Sequence, residues 1–185
     1  MKPRNKKERF MVKKNLELKD CIRNIPDFPK PGILFRDITT LLKDNRAFKH
    51  ALDSLVKKYK NKKIDKVVAV EARGFILGGA VAHRLGAGFV PVRKKGKLPW
   101  KTKSATYELE YGTDTLEIHH DAIKSGENVL IIDDLLATGG TVKAVTDLVK
   151  QLQGKIAGIA FLIELTDLKG KEKLKGYPVY SLIKY

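Results

Sequence analysis

Val129-Leu130-Ile131-Ile132 is an uninterrupted apolar run that ends in Asp133-Asp134-Leu135-Leu136-Ala137-Thr138-Gly139-Gly140-Thr141. A run without polar alternation is buried on both faces, as in the central strand of a sheet covered by helices. Val142, Val145, Leu148, Val149 and Leu152 follow at helical spacing. The chain is thereby committed to a strand–turn–helix unit whose turn consists of small residues and threonines. Backbone N–H groups of such a turn can close around a phosphate, the helix N-terminus adds a favourable dipole, and Thr138 and Thr141 can donate hydroxyls. The Walker pattern is absent, since no Gly-Lys-Ser/Thr follows, and the turn lacks the G-x-G-x-x-G of dinucleotide sites. Asp133 and Asp134 can accept from a ribose diol while the turn takes a phosphate, so a sugar phosphate fits best. Capping the turn would use one acid, not two.

The same alternation of strand and helix recurs. Lys66 to Val70, Phe89 to Val92, Ile156 to Ile163 and Val179 to Ile183 read as strands. Leu77 to Leu85 reads as a helix packed on a sheet. Phe48, Leu52, Leu55, Val56 and Tyr59 mark another helix with one apolar stripe. Residues 104–112 and 115–118 alternate polar with aromatic or apolar residues and predict a strand–loop–strand excursion. Glu17 to Asn24 predicts a short helix, and Pro29, Pro31 and Gly32 impose an extended, turn-rich path on Asp27 to Asp37. Strands separated by helices predict an α/β fold, a mostly parallel central sheet flanked by helices and joined by right-handed crossovers. A chain of 185 residues fits one such domain over 15–185 behind a basic extension over 1–14.

Thirty-seven Lys and Arg against 21 Asp and Glu give a net charge of +16, which predicts an anionic partner. With 43% hydrophobic residues the chain is no disordered basic tail. Residues 1–14 carry +6 with no helical or strand period and predict a mobile, solvated segment. Lys57, Lys58, Lys60, Lys62, Lys63 and Lys66 close the amphipathic helix and read as a solvated face. Arg93, Lys94, Lys95, Lys97, Lys101 and Lys103 instead occupy a loop after a strand, where α/β proteins hold anionic ligands. The single cysteine, Cys21, excludes an internal disulfide and a multi-cysteine zinc site, and no His-Asp partner accompanies it as a nucleophile. Adjacent His119 and His120 would point to opposite faces of a strand, which argues against a metal site. No apolar stretch follows the basic start, and no run approaches the ~18 residues that span a bilayer, so a soluble cytoplasmic protein without a membrane partner is expected.

VLII-DDLLATGGT resembles the phosphoribosyl pyrophosphate motif of type I phosphoribosyltransferases. The likeness narrows with PDFPKPGILFRDITT at Pro26 to Thr40, EARGF at Glu71 to Phe75, VRKKGKLP at Val92 to Pro99, YELEYG at Tyr107 to Gly112 and IELTDLKG at Ile163 to Gly170. In order and spacing these are similar to the adenine phosphoribosyltransferase family, over about residues 17–185. The resemblance implies the type I phosphoribosyltransferase fold, with a small hood over about 15–40 and a flexible catalytic loop. It also implies the reaction: adenine and phosphoribosyl pyrophosphate give AMP and pyrophosphate in purine salvage.

Carried onto this sequence, the resemblance gives Ala137, Thr138, Gly139, Gly140 and Thr141 the 5′-phosphate, and Asp133 and Asp134 the ribose hydroxyls. Glu71, Ala72, Arg73, Lys94 and Lys97 would serve the pyrophosphate, with a non-proline cis peptide at Glu71–Ala72 aiming backbone N–H groups at it. Leu34, Phe35 and Arg36 would read adenine; a main-chain N–H and C=O there can demand a donor and an acceptor together, which discriminates against 6-oxopurines. Glu110 would carry a proton at N7, and Tyr111 would help close the loop. Mg²⁺ would arrive on the substrate rather than in a protein-only cage. A homodimer is implied. Two rivals stand beside this reading: a nucleic-acid-binding regulator on the same fold, kept alive by the basic tail and the 57–66 cluster, and a 6-oxopurine phosphoribosyltransferase. The absence of an added helix-turn-helix and the presence of the YELEYG loop weigh against nucleic acid, and GILFRD weighs against the 6-oxopurine.

Overall fold

The computed structural model describes residues 16–108 and 112–185. They divide into two compact units, one ending at His50 and one running from Ala51 to Tyr185. In the first, Leu18–Cys21 makes a single 3-10 turn and Arg23–Ile25 (β1) pairs antiparallel with Phe35–Asp37 (β2). The helix expected over Glu17 to Asn24 is therefore only this turn. Arg23 to Ile25 finds a strand partner, so cross-strand pairing wins over a helix too brief to propagate. Between the strands the chain turns through a cis Phe28–Pro29 bond, and the Gly32 amide donates to Asp27 Oδ1 at 2.7 Å. Phe28 and Phe35 meet edge to face at 5.2 Å. A short helix, Thr39–Lys43 (α1), follows. Helix α2 (Asn45–Tyr59) runs across the division.

The larger unit is built on seven strands. Lys66–Val70 (β3), Gly88–Lys94 (β4), Asn128–Leu136 (β7), Lys155–Glu164 (β8) and Val179–Lys184 (β9) form the parallel part, in the order β4-β3-β7-β8-β9. Thr102–Glu108 (β5) and Thr113–His119 (β6) make an antiparallel hairpin attached through β6 to β4. Helix α3 (Arg73–Leu85) connects β3 to β4, and α4 (Gly140–Gln151) connects β7 to β8. The chain thus winds one way from β3 and the other way from β7, leaving a switch point between their carboxyl ends. The mostly parallel α/β sheet and its strand–loop–strand excursion agree with the sequence expectation. Strand β7, however, runs four residues past Ile132: Asp133, Leu135 and Leu136 stay in register with Phe161, Ile163 and Glu164.

Val68, Val90, Val129, Ile131, Phe161, Val145 and Leu148 belong to one core of strand and helix side chains. Helix α3 sits tightly on β3 because Gly78 faces Ala69; a Cβ there would come within 2.6 Å of the Ala69 methyl. Lysines of the 57–66 cluster are exposed as expected except Lys66. Two meet aromatic rings: Lys58 Nζ lies over the Tyr180 ring at 5.2 Å, and Lys62 Nζ over the Tyr59 ring at 5.5 Å. No helix among the described residues is long and apolar enough to cross a membrane. The tight α3–β3 seam yields a prediction. Gly78→Leu should destabilise the fold by about 1–3 kcal/mol, the usual range for overpacking, read as a lower urea midpoint at unchanged slope; an unchanged midpoint would contradict the packing.

Candidate active site

The carboxyl ends of β3, β4 and β7 lie in the larger unit. At the end of β3 the chain passes through Glu71 and a cis Glu71–Ala72 bond into Arg73, the first residue of α3. At the end of β7 it passes from Asp133 and Asp134 to the turn Ala137–Gly139 and then α4. The two ends touch. Arg73 Nε lies 2.8 Å from Asp134 Oδ2, and a Cβ on Gly74 would come within 2.8 Å of Asp133 Oδ1. Glycine at 74 therefore lets the first turn of α3 close onto the acid pair.

Both acids are nearly sequestered, Asp133 at 8% and Asp134 at 7% exposure. Burial pushes the Asp133 carboxyl well above the usual carboxylate range, and the neighbouring Asp134 charge adds to the shift. Asp133 Oδ1 accepts the Asp134 amide at 2.9 Å, which limits the rise. Burial also raises Asp134, opposed by the Arg73 guanidinium. Two acids this close, with one cation, are poised to accept hydrogen bonds from hydroxyls and to meet further positive charge.

The turn after β7 is shaped by Gly139, in the left-handed region at φ 81°, where a Cβ would overlap the Gly170 carbonyl. Gly140 then opens α4, its Cα face 3.3 Å (at a Cβ position) from the Glu108 carbonyl and 3.5 Å from the Tyr107 ring. The end of β5 thus lies against the helix N-terminus. Tyr107 engages Thr141 and Asp114 through its hydroxyl, and burial raises its pKa.

Of the basic cluster expected in a loop, Arg93 and Lys94 instead end β4 and Lys103 lies in β5, because pairing with β6 carries both strands further, and carboxylates organise the segment. Glu71 Oε1 accepts the Lys94 amide at 2.7 Å, and Oε2 accepts Arg93 Nε at 2.9 Å. Burial raises the Glu71 carboxyl, but these two donors outweigh it and hold it below its ordinary value. Lys94 Nζ pairs with Asp114 at 2.9 Å, and that hydrogen bond raises the lysine. Lys97 is exposed in the following turn, which Gly96 closes at φ 78° with its amide on Glu117 Oε2 at 3.0 Å.

Of the residues singled out from sequence, Glu71, Ala72, Arg73, Lys94, Asp133, Asp134 and Ala137 to Thr141 gather at the carboxyl ends of β3, β4 and β7. Leu34, Phe35 and Arg36 lie at β2 of the first unit, where Leu34 is 45% exposed and the Arg36 guanidinium donates to Asn24 Oδ1. Glu110 and Tyr111 lie outside the described residues. Sequence reading passed over Asp114 and Tyr107 as functional neighbours. The alternation of β5 and β6 could have aligned them as a cross-strand pair, since Tyr107 stands opposite Asp114. As to metal, no cluster of three or more His, Cys, Asp or Glu side chains among the described residues could hold an ion. The donor set is two adjacent carboxylates, which suits a hard cation bound mainly by substrate oxygens and water.

Fold and site together define a class: an α/β protein with a phosphate cradle, an acid pair and a basic loop at the switch point of its sheet. Residues 39–184 match the phosphoribosyl transferase domain family. An adenine phosphoribosyltransferase of Brachyspira hyodysenteriae is 58% identical over 170 residues, 92% of this chain and 100% of that protein. One from Koribacter versatilis is 60% identical over 168 residues, 91% of this chain and 92% of that protein. The adenine phosphoribosyltransferase structure from Thermoanaerobacter pseudethanolicus superimposes with a TM-score of 0.88 at 56% identity, covering 91% of this chain and 98% of that one. The chain belongs to the phosphoribosyl transferase family, in its adenine phosphoribosyltransferase branch.

The buried acid pair has a consequence for stability. An acid whose pKa is raised on folding loses stability as pH climbs from the ordinary carboxylate range, about 4, through its folded value. Asp133→Asn removes that penalty. The variant should melt above the wild type at pH 7 to 8, with the gap closing toward pH 4; an Asp133→Asn melting temperature at or below wild type at pH 8 would contradict the assignment.

Proposed function

We infer that this chain transfers the 5-phosphoribosyl group of phosphoribosyl pyrophosphate to N9 of adenine, forming AMP and releasing pyrophosphate, a purine-salvage reaction. The observation that carries the reading is the meeting of Arg73, Asp134 and the Ala137–Thr141 cradle at one switch point. The cradle takes the 5′-phosphate on backbone N–H groups and the Thr138 and Thr141 hydroxyls. Asp133 and Asp134 accept from the ribose hydroxyls. That fixes C1′ between the acid pair and the Glu71–Ala72–Arg73 corner. The N9–C1′ bond forms as the bond from C1′ to the pyrophosphate oxygen breaks, through an oxocarbenium-like state.

As negative charge grows on the leaving group, Arg73, Lys94 and Lys97 supply fixed positive potential. Glu71 contributes through position: its carboxylate is engaged by Arg93 and the Lys94 amide, which sets the basic loop against the β3 corner. Backbone groups near Leu34 pair with the exocyclic amine and N1 of adenine, Phe35 and Arg36 flank the ring, and Glu110 takes the proton at N7. Tyr111 closes the loop and excludes water. Asp133 and Asp134 would face a Mg²⁺ ion that arrives with the substrate, and the ion would supply charge neutralisation to the leaving group. The yeast adenine phosphoribosyltransferase structure in complex with adenine, 44% identical over 89% of this chain, supports the choice of base. The enzyme works as a homodimer; Ile76 and Phe89, 44% and 39% exposed, offer apolar surface of the kind a second copy covers.

Pyrophosphate release with Mg²⁺, phosphoribosyl pyrophosphate and each purine base in turn tests this. Adenine alone should turn over, Arg73→Ala and Asp134→Asn should each cut kcat by roughly 100-fold or more, and both variants should keep the wild-type circular dichroism. Turnover with hypoxanthine or xanthine in place of adenine, or with no base, would overturn the reading. Sedimentation of the same preparation as a monomer would overturn the dimer alone.

A further inference from the structure

IELTDLKG is the one motif of the sequence that the site above does not use, and it abuts the phosphate cradle from behind. Strand β8 ends on Glu164, and the Leu165 amide donates to the Leu136 carbonyl at 2.9 Å, so the chain leaves the sheet alongside the end of β7. It turns through Thr166–Leu168 and, after Lys169 at φ 51°, enters Gly170–Leu174. Gly170 is pressed flat on the cradle. A Cβ at 170 would overlap the Ala137 carbonyl and lie 2.9 Å from Leu136 Cδ1, and a Cβ at 139 would overlap the Gly170 carbonyl. With backbone against backbone, a displacement of residue 170 displaces residues 137 to 139.

Gly170 is held at both ends of its turn. Leu174, 1% exposed, is anchored in the core. Lys171, the next residue, reaches back to Glu164 with Nζ 2.8 Å from Oε2; the glutamate side chain is 7% exposed and the lysine 38%. Burial raises Glu164, but Lys171 and then Ser181 outweigh it, so the acid stays ionised and paired. Such a pair is weak as a source of stability, because well-packed apolar residues commonly serve as well. It is strong as a fixer of position, and donors aimed at a phosphate work only when aimed beforehand.

We propose that Glu164, acting through Lys171, is a positioning residue for the 5′-phosphate cradle: the ion pair pins Gly170, and Gly170 sets the backbone of Ala137 to Gly139. The proposal rests on the sugar-phosphate reading of that turn. Its signature is selective. Loosening the pin weakens the ribose 5-phosphate part of the substrate and leaves adenine recognition alone.

Glu164→Gln, Lys171→Met and Lys171→Arg test it, with ribose 5-phosphate binding by calorimetry, KM for each substrate, and the melting temperature. Glu164→Gln and Lys171→Met should each weaken ribose 5-phosphate and raise KM for phosphoribosyl pyrophosphate by about tenfold, the order expected of a sub-ångström misplacement. KM for adenine should stay within about twofold, the double variant should be no worse than either single one, and Lys171→Arg should restore binding. Because Glu164→Gln leaves no buried charge without its partner, it keeps the fold even if Lys171→Met, which strands the buried carboxylate, does not. Normal ribose 5-phosphate affinity in a folded Glu164→Gln or Lys171→Met, or an equal loss toward adenine, would overturn the brace. A wild-type protein that itself ignores ribose 5-phosphate would overturn the sugar-phosphate reading, and the brace with it.

Discussion

Two carboxylates at the end of a strand buried on both faces are the constraint around which this molecule is organised. Strand β7 carries Asp133 and Asp134 out of a core of valine, leucine and isoleucine, and both remain almost fully covered. Removing a charge from water is costly unless something replaces the water. Here the replacement comes from Arg73, which the parallel topology brings from the end of β3, and from the Asp134 amide, the next residue along the chain. The compensation is incomplete, which is why both acids are shifted upward. A pair left short of partners is ready for hydroxyls and cationic charge, and a sugar bearing a magnesium-bound diphosphate brings both.

The net charge of +16 divides along the same lines. Around the switch point, basic residues are held by acids that fix where they point: Arg93 by Glu71, Lys94 by Asp114, Arg73 by Asp134. Each cation keeps considerable exposure, so a phosphate can compete for it. Of the exposed lysines near residue 60, Lys58 and Lys62 place their ammonium groups over the Tyr180 and Tyr59 rings. These lysines have no part in the reaction proposed for the chain.

Periodicity made the framework legible. Runs such as Lys66 to Val70 and Val129 to Ile132 could be nothing but buried strands, and the order of strands and helices left a parallel sheet as the economical solution. Asp133, Asp134 and the Thr-Gly-Gly-Thr turn were readable because chemistry and local geometry coincide within nine residues. What could not be read is long-range. Glu71 meets Arg93 because β3 and β4 are parallel neighbours, a pairing that no local spacing announces. Gly170 meets Gly139 through backbone alone, leaving no side-chain pattern to notice. The short helix expected at Glu17 to Asn24 failed for a related reason: one turn of periodicity carries little weight against a strand partner twelve residues on, the distance between Asn24 and Arg36.

The central claim is that the turn after β7 receives the phosphate of a ribose 5-phosphate group while the acids before it receive the sugar. Amide chemical shifts of the isotopically labelled protein, followed as AMP is titrated in, address this residue by residue. The account predicts that the largest shifts fall on Ala137, Thr138, Gly139, Gly140 and Thr141, with Asp133 and Asp134 next. Saturable AMP binding that leaves those amides unmoved and perturbs another surface would contradict it.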